Sequence, residues 1–500
     1  MQRKQLTLVI VSLLVVVLSV SLAYFTTQII GKGKDVSVTS TNLQIVFTDT
    51  DGEIAGSDIE PGWSATKTFT VQNNSKSEYK YNIVIKDLVN TFVTNGYLQY
   101  KITSTNNGYN MTEFKDIPKS SAPKDTILAY SVSIPVGVTQ SYTIEFKYAN
   151  DENVDQSDDM GKKLNGTLFI TEGTEQPTLL SQLLADKSTV LTRTDFSTVL
   201  TTDNTNTLYT STEDSKTVYY FAGNATDNWV KFGKNENNQD LYWRIIRTNS
   251  DGSVRLLYHG TSVATTDAHI GATIYNSIYN DSMYVGYMYG TSNAVSVDRS
   301  NTNNSTIKGV IDTWYQNNLN TNYGKYLSTT AVYCNDREVV SGTYSATGSR
   351  FSYAAITRLD TNKTPTYDCA DTNDKFTVDS SAGNGKLTYP IALMTADEVA
   401  FAGGLWTTNA PTWYYYNSAN GSSTGTRCWW TMSPSAWGGG DSYVFVVQGS
   451  DHPGYLYTPR VSSNDKVIRP VLSLKSCVKT SGGNGSASDP YTIEETTSGC

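Results

Sequence analysis

Histidine is almost missing from this chain: three occur in 500 residues, His259, His269 and His452. They stand far apart and form no His-Glu-x-x-His pair, so a zinc protease has no sequence support. Cysteine is scarce as well. All five lie in the second half (Cys334, Cys369, Cys428, Cys477, Cys500), and no Cys-x-x-Cys occurs. Charged residues make up 17% of the chain, the net charge is −9, and Lys and Arg form no tract beyond the first few residues. Nucleic acid is excluded as a partner on that ground, because phosphate binding needs clustered cations. No Gly-x-Ser-x-Gly elbow, P-loop or dinucleotide fingerprint is present. With no nucleophile, base and orienting group to assemble, no enzymatic activity is expected. A site built from distant loops is the one enzymatic reading left.

Long apolar runs are also absent, with one exception at the start. Arg3 and Lys4 precede an uncharged segment from Leu6 to Ile30 that is almost wholly apolar as far as Phe25. A basic start followed by an apolar stretch is an export signal. Two readings of residues 1–30 stay open. Ser21-Leu22-Ala23 has the small-x-small pattern of a signal-peptidase site, which makes the segment a cleaved signal peptide. Uncut, about 20 apolar residues suffice for a transmembrane anchor, with the basic end in the cytoplasm. Either way the protein is expected to be extracellular, at the cell surface or membrane-anchored, where disulfides form.

What is plentiful is aromatic and small polar: 34 Tyr, 14 Phe and 9 Trp among abundant Asn, Ser and Thr. Residues 34–172 alternate with period two. Phe69 and Val71 alternate with threonines, and Tyr79, Tyr81, Ile83 and Ile85 run longer. Ser141–Tyr148 and Gly166–Thr171 repeat the pattern, and Asp51-Gly52, Pro61-Gly62 and Asn107-Gly108 supply turns. Short alternating strands between turn signals predict an all-β sandwich. Residues 173–178 break both periodicities and read as a linker.

Residues 179–500 predict an α+β domain. A short helix is expected from Leu179 to Leu184. Leu241–Arg247 and Val254–Tyr258 flank Asn249-Ser-Asp-Gly252 as a hairpin. Ile307, Val310, Ile311 and Trp314 are spaced as a helix face, capped by Asn304 or Ser305. Thr395-Ala-Asp-Glu398 is a capping box, and Gly403 ends its helix. The chain as a whole is therefore read as multidomain, a β-sandwich followed by an α+β domain.

Two resemblances add to this. The segment Leu22-Ala-Tyr-Phe25, the turn Ile59-Glu-Pro-Gly-Trp-Ser-Ala-Thr66, the strand Phe69-Thr-Val-Gln-Asn-Asn74 and Asp155-Gln156 with Met160-Gly161 occur in the order found in camelysin and biofilm-matrix fibre proteins of Gram-positive bacteria. Residues 5–172 resemble that family, which implies a surface sandwich that in some relatives assembles into fibres. Further on, Cys334-Asn-Asp-Arg337, Leu393-Met-Thr-Ala-Asp-Glu-Val399, Trp430-Thr-Met-Ser-Pro434 and Ile468-Arg-Pro-Val-Leu-Ser-Leu474 follow one another. Together they resemble the C-type-lectin-like domains of exported bacterial proteins, a group that includes formylglycine-generating-type and variable receptor-binding domains. That resemblance spans roughly residues 215–490 and implies the fold. The group's copper-dependent oxidases use a paired-cysteine site. Cys334 and Cys369 instead read as a loop staple by adjacency and motif context. Cys428, Cys477 and Cys500 compete for the remaining bridge; Cys477–Cys500 would staple the Gly-rich tail, leaving Cys428 as a buried thiol.

The expected recognition surface lies in residues 404–466. Trp406, Trp413, Tyr414, Tyr415, Trp437, Tyr455 and Tyr457 sit among small polar residues, with Arg427, Asp441, Asp451, His452 and Arg460 adding charge. Aromatic faces set among small polar groups suit a glycan or a protein ligand on another surface. Trp429, Trp430 and Met432 are assigned to the core. Arg469, inside an apolar strand, needs a buried acid, and Glu398 is one candidate partner. No metal or other cofactor is expected. Calcium at Asp49–Glu53 or at Asn150–Asp159 is the cation reading, set against a hairpin turn and a solvated acidic loop. The main expectation is an exported binding protein, adhesin-like. The rival is a fibre or matrix subunit that self-assembles by donating the strand Val36–Phe47 to a neighbour.

Overall fold

The computed structural model describes residues 35–40, 43–49, 54–56, 59–94, 96–292, 294–344, 350–410, 425–438 and 440–500. The signal or anchor segment 1–30 therefore lies outside the described residues. Two compact units divide the chain between Gln176 and Pro177.

The first unit holds strands β1 (Asp35–Ser40), β2 (Leu43–Asp49), β3 (Ile54–Gly56), β4 (Ser64–Asn73), β5 (Tyr79–Asn90), β6 (Leu98–Ser104), β7 (Lys115–Asp116), β8 (Ser120–Ile134), β9 (Thr139–Tyr148) and β10 (Leu164–Glu172). One sheet runs β1-β2-β4-β9-β6-β7 and the other β3-β10-β5-β8. Alternation decides which face goes inward. In β9, Gln140, Tyr142, Ile144, Phe146 and Tyr148 are buried while Ser141 and Glu145 are exposed. Phe69, Val71 and Ile102 of the first sheet meet Ile83, Ile85 and Leu168 of the second in one core. This is face-to-face packing of two sheets. The Tyr81 and Tyr142 hydroxyls share a hydrogen bond of 2.5 Å in that core, and Gln140 Oε1 lies 2.7 and 3.2 Å from them as the acceptor for the remaining proton. Buried polar groups need such partners. At the bulge between Asn165 and Thr167, Gly166 lies so close to Ile85 Cγ2 that a Cβ would collide with it.

The segment expected as one donated strand is instead a hairpin. Val36 pairs with Phe47 and Ser40 with Leu43, and β2 then pairs with β4 inside the chain's own sheet.

The second unit is also β-rich, with short helices. Its largest sheet has ten strands and a further sheet has six. The hairpin Asp240–Thr248/Val254–Gly260 forms its middle, and Gly252 takes φ +80° in the turn. Val254–Gly260 is buried throughout and pairs on its other side with Pro470–Leu474, which pairs in turn with Ile391–Leu393. Trp429–Trp437 and Ser442–Val447 pair in the six-stranded sheet. Thr178 caps the helix Leu179–Asp186, and Ser305 caps Thr306–Asn318, each by accepting from a backbone N–H. Ile307, Ile311 and Tyr315 of the longer helix are buried, whereas Val310 is partly exposed. The capping box at Thr395 and Glu398 is complete, and its helix Ala396–Phe401 gives way to Gly403 at φ +112°.

Disulfides join Cys334 to Cys369 and Cys477 to Cys500, and Cys428 is free and half-buried. Two such bridges point to an oxidising, extracellular environment. Among the described residues no helix is long and apolar enough to cross a membrane.

Candidate functional site

Three features of the structure could act on a ligand. The first is a buried lattice of ion pairs. Glu398, the acid of the capping box, accepts from Arg247 Nε at 2.8 Å and Arg255 Nη1 at 2.6 Å, and Arg247 reaches on to Glu213 at 2.8 Å. The two arginines stand opposite each other on the central hairpin. Burial opposes the Glu398 charge, but Arg255 and Arg247 hold its pKa below the ordinary carboxylate value. Arg358 spans Asp336 at 2.6 Å and Asp397 at 2.9 Å. Between Arg247, Arg255, Arg358, Asp336, Asp397 and Glu398 lies a cavity of about 10 Å³. That is room for about one water molecule. The lattice braces the hairpin, helix and loop that carry it and is too tight to admit a substrate.

Arg469 takes a different place from the one expected. It donates to the Tyr258 carbonyl at 3.1 and 3.2 Å and lies over the Trp429 ring, 5.1 Å from its centroid. The register explains why Glu398 is out of its reach. Leu257 pairs with Val471 and Arg255 with Ser473, so Arg469 stands opposite residue 259, four residues along from Arg255. At the rise of a strand that is about 13 Å.

The second feature is the surface around residues 441–460. Asp441 and Arg460 form an ion pair at 3.0 Å, with 55% of the Arg460 side chain and 21% of the Asp441 side chain exposed. The Tyr443 hydroxyl donates to Asp441 Oδ2 at 3.3 Å. The Tyr443 hydroxyl and Asp441 together raise the pKa of Arg460. The Tyr279 ring, 42% exposed, lies 5.7 Å from the guanidinium, and the Tyr279 carbonyl accepts from Ser442 N at 2.8 Å. Ile278 beside it is exposed as well.

Other expected surface residues are placed separately. His452 and Tyr455 pair edge to face at 5.6 Å, Tyr457 is exposed, and Asp451 and Arg427 are exposed. Trp406 is half-buried against Phe445. Trp437 is corrected to the core: it is 1% exposed, closes the strand Trp429–Trp437 and pairs with Phe351 and Ser442. The glycines after it read as loop, and they hid a strand that ends on this residue. Trp413, Tyr414 and Tyr415 lie outside the described residues. Tyr279 was missed, and only its position in a polar Asn/Asp/Ser stretch could have suggested exposure.

The third feature is a groove of about 380 Å³ on the outer face of the first unit's larger sheet. Thr68, Thr70, Thr103, Thr105, Ser141 and Thr143 line it with hydroxyls. It exists because short side chains occupy neighbouring positions on three adjacent strands, Thr68 beside Thr143 beside Thr103.

The acidic loop of the first unit closes on itself. Asp151 accepts from Asn153 N, Asp155 from Ser157 N, and Asp159 from Val93 N at 2.6 Å and Tyr148 Oη at 2.8 Å. Burial opposes the Asp159 charge, yet these hydrogen bonds keep its pKa below the usual value. Among the described residues no group of three or more His, Cys, Asp or Glu side chains could hold a metal. Asp49 ends β2, and residues 50–53 of the other acidic stretch lie outside the described residues. At Cys428, burial raises the thiol pKa, which disfavours the thiolate. No protein-family model and no curated protein matches this chain.

Proposed function

We propose that this chain is an exported surface protein whose second unit, a C-type-lectin-like domain, captures a ligand carried on another surface without turning it over. The observation that carries this reading is the exposed ion pair Asp441–Arg460 flanked by Tyr443 and Tyr279. Pre-oriented charged groups present free donors and acceptors without a further ordering cost. A Tyr face beside them adds contact area at low entropy loss. Adjacent hydroxyls of a glycan, or the backbone and side chains of a protein loop, match that combination. The two disulfides support an extracellular setting.

The test is to probe glycan and protein arrays with the full chain. Saturable binding that Arg460→Ala abolishes supports the reading; failure to bind any ligand across broad arrays counts against it.

A further inference from the structure

Lys187 follows the opening helix of the second unit, Leu179–Asp186, as its C-cap. Its Nζ is fully buried and lies 2.6 Å from Asp227 Oδ2 and 2.9 Å from the Asp227 carbonyl. The rings of Phe221 and Tyr491 wall the pair, with centroids 5.5 and 5.8 Å from Nζ. Asp227 Oδ2 also accepts from Asn206 N at 2.7 Å, but the buried Oδ1 has no hydrogen-bond partner. A second carboxylate stands next in sequence: Asp186 accepts from the Tyr491 hydroxyl at 2.9 Å and from Gln182 Nε2 at 2.8 Å.

We propose that Lys187 and Asp227 condense into an intramolecular amide, a covalent brace that the folded chain makes by itself. A buried ion pair carries a desolvation cost that its mutual attraction has to offset, and here one carboxylate oxygen is left unsatisfied as well. The step begins with transfer of one proton from Nζ to the carboxylate across the 2.6 Å contact. Nζ then attacks Cγ, the N–C bond forms, one C–O bond breaks, and the departing oxygen leaves as water with two of the nitrogen's three protons. No oxidant or cofactor is required. Fixed contact between the two groups replaces an encounter in solution. The Tyr491 hydroxyl, bonded to Asp186, belongs to a ring that walls the pair. Burial, and then Asp186, keep the Tyr491 hydroxyl protonated.

The product joins the opening helix to the loop ahead of the strand Trp229–Lys234. The start of the same helix is bonded to Val478, next to the Cys477–Cys500 bridge, through Leu179 N. Both ends of the helix would then be tied to the body of the unit.

Mass spectrometry of the full chain decides it. The expected result is a branched peptide linking Lys187 to Asp227, lighter by one water than the two linear peptides combined. Lys187→Arg keeps a cation beside the carboxylate and removes the branch. Asp227→Asn gives the same branched product with loss of ammonia. Separate linear peptides from the wild-type chain would overturn the proposal. So would a branch only at Lys308–Asp312, a buried lysine–aspartate contact at 2.5 Å.

Discussion

The two units bury polarity in different ways. In the first, strand ladders carry most of the organisation, and the best-defined buried polar group is the neutral cluster Tyr81–Tyr142–Gln140 between the sheets. In the second, helices and loops are tied to the sheet and to one another by buried or half-buried ions: Arg247 and Arg255 on Glu398, Arg358 on Asp336 and Asp397, Arg337 on Asp374. Two disulfides are added to these. A ladder satisfies its own backbone as it forms, so a sandwich needs few side-chain ties. Loops have no ladder and must be held from outside, and a guanidinium with five donors can hold several segments at once. The second unit can thus display a fixed, irregular surface, while the first presents a regular sheet face.

That contrast is broken most severely at Glu398. Glu398→Ala strands Arg247 and Arg255 without their shared acid and removes half of the capping box. Breaking a buried pair from one side costs about 3–5 kcal/mol. Denaturant unfolding followed by tryptophan fluorescence is expected to show the second unit's transition shifted by that amount and the first unit's unchanged. Equal shifts in both would show that the units do not fold independently.

Asp298 gives an effect of similar size that depends on pH. Burial raises its pKa to about 6 from 3.8, although Arg337 works in the opposite direction. The folded chain therefore keeps a proton that the unfolded chain releases. This contribution is complete below about pH 4 and is lost as pH climbs through about 6. Asp298→Asn is expected to remove roughly 3 kcal/mol of pH dependence over that interval. Thermal melts of the variant and the wild type between pH 4 and 7 check it; parallel curves would contradict it.

The smallest effect belongs to the neutral cluster. Tyr81→Phe removes one hydroxyl shared with Tyr142 and Gln140. Leaving a buried acceptor unsatisfied costs about 1–3 kcal/mol, and this change is expected near the lower end because Tyr142 can donate to Gln140. The first unit's melting transition reports it.

What was legible in the sequence was local. The hairpin around Asn249–Gly252, the Ser305 cap and the Thr395–Glu398 capping box depend on residues within a few positions of one another, where turn and cap chemistry act. The strands of the sandwich were legible through alternation. The hairpin formed by β1 and β2 was not, because Thr41-Asn42 is not one of the Asn-Gly or Asp-Gly pairs that mark a two-residue turn. Nor could the lattice be read. Glu398 meets Arg247 and Arg255 from 151 and 143 residues away, and Arg469, singled out for standing in an apolar strand, was the wrong candidate. Of the candidate surface, Asp441 and Arg460 could be named as types. Their pairing with each other and with Tyr279 depends on how distant strands and loops pack, which no spacing rule contains.

Ligand capture is proposed for the irregular surface of the second unit and not for the sheet face of the first. The direct measurement is equilibrium binding of one array-identified ligand to three full-length proteins: wild type, Tyr279→Ala with Arg460→Ala, and Thr68→Val with Thr143→Val. Loss of binding in the second protein, with wild-type affinity in the third, is the predicted result. Wild-type affinity in the second protein with loss in the third would contradict it and place recognition in the hydroxyl-lined groove.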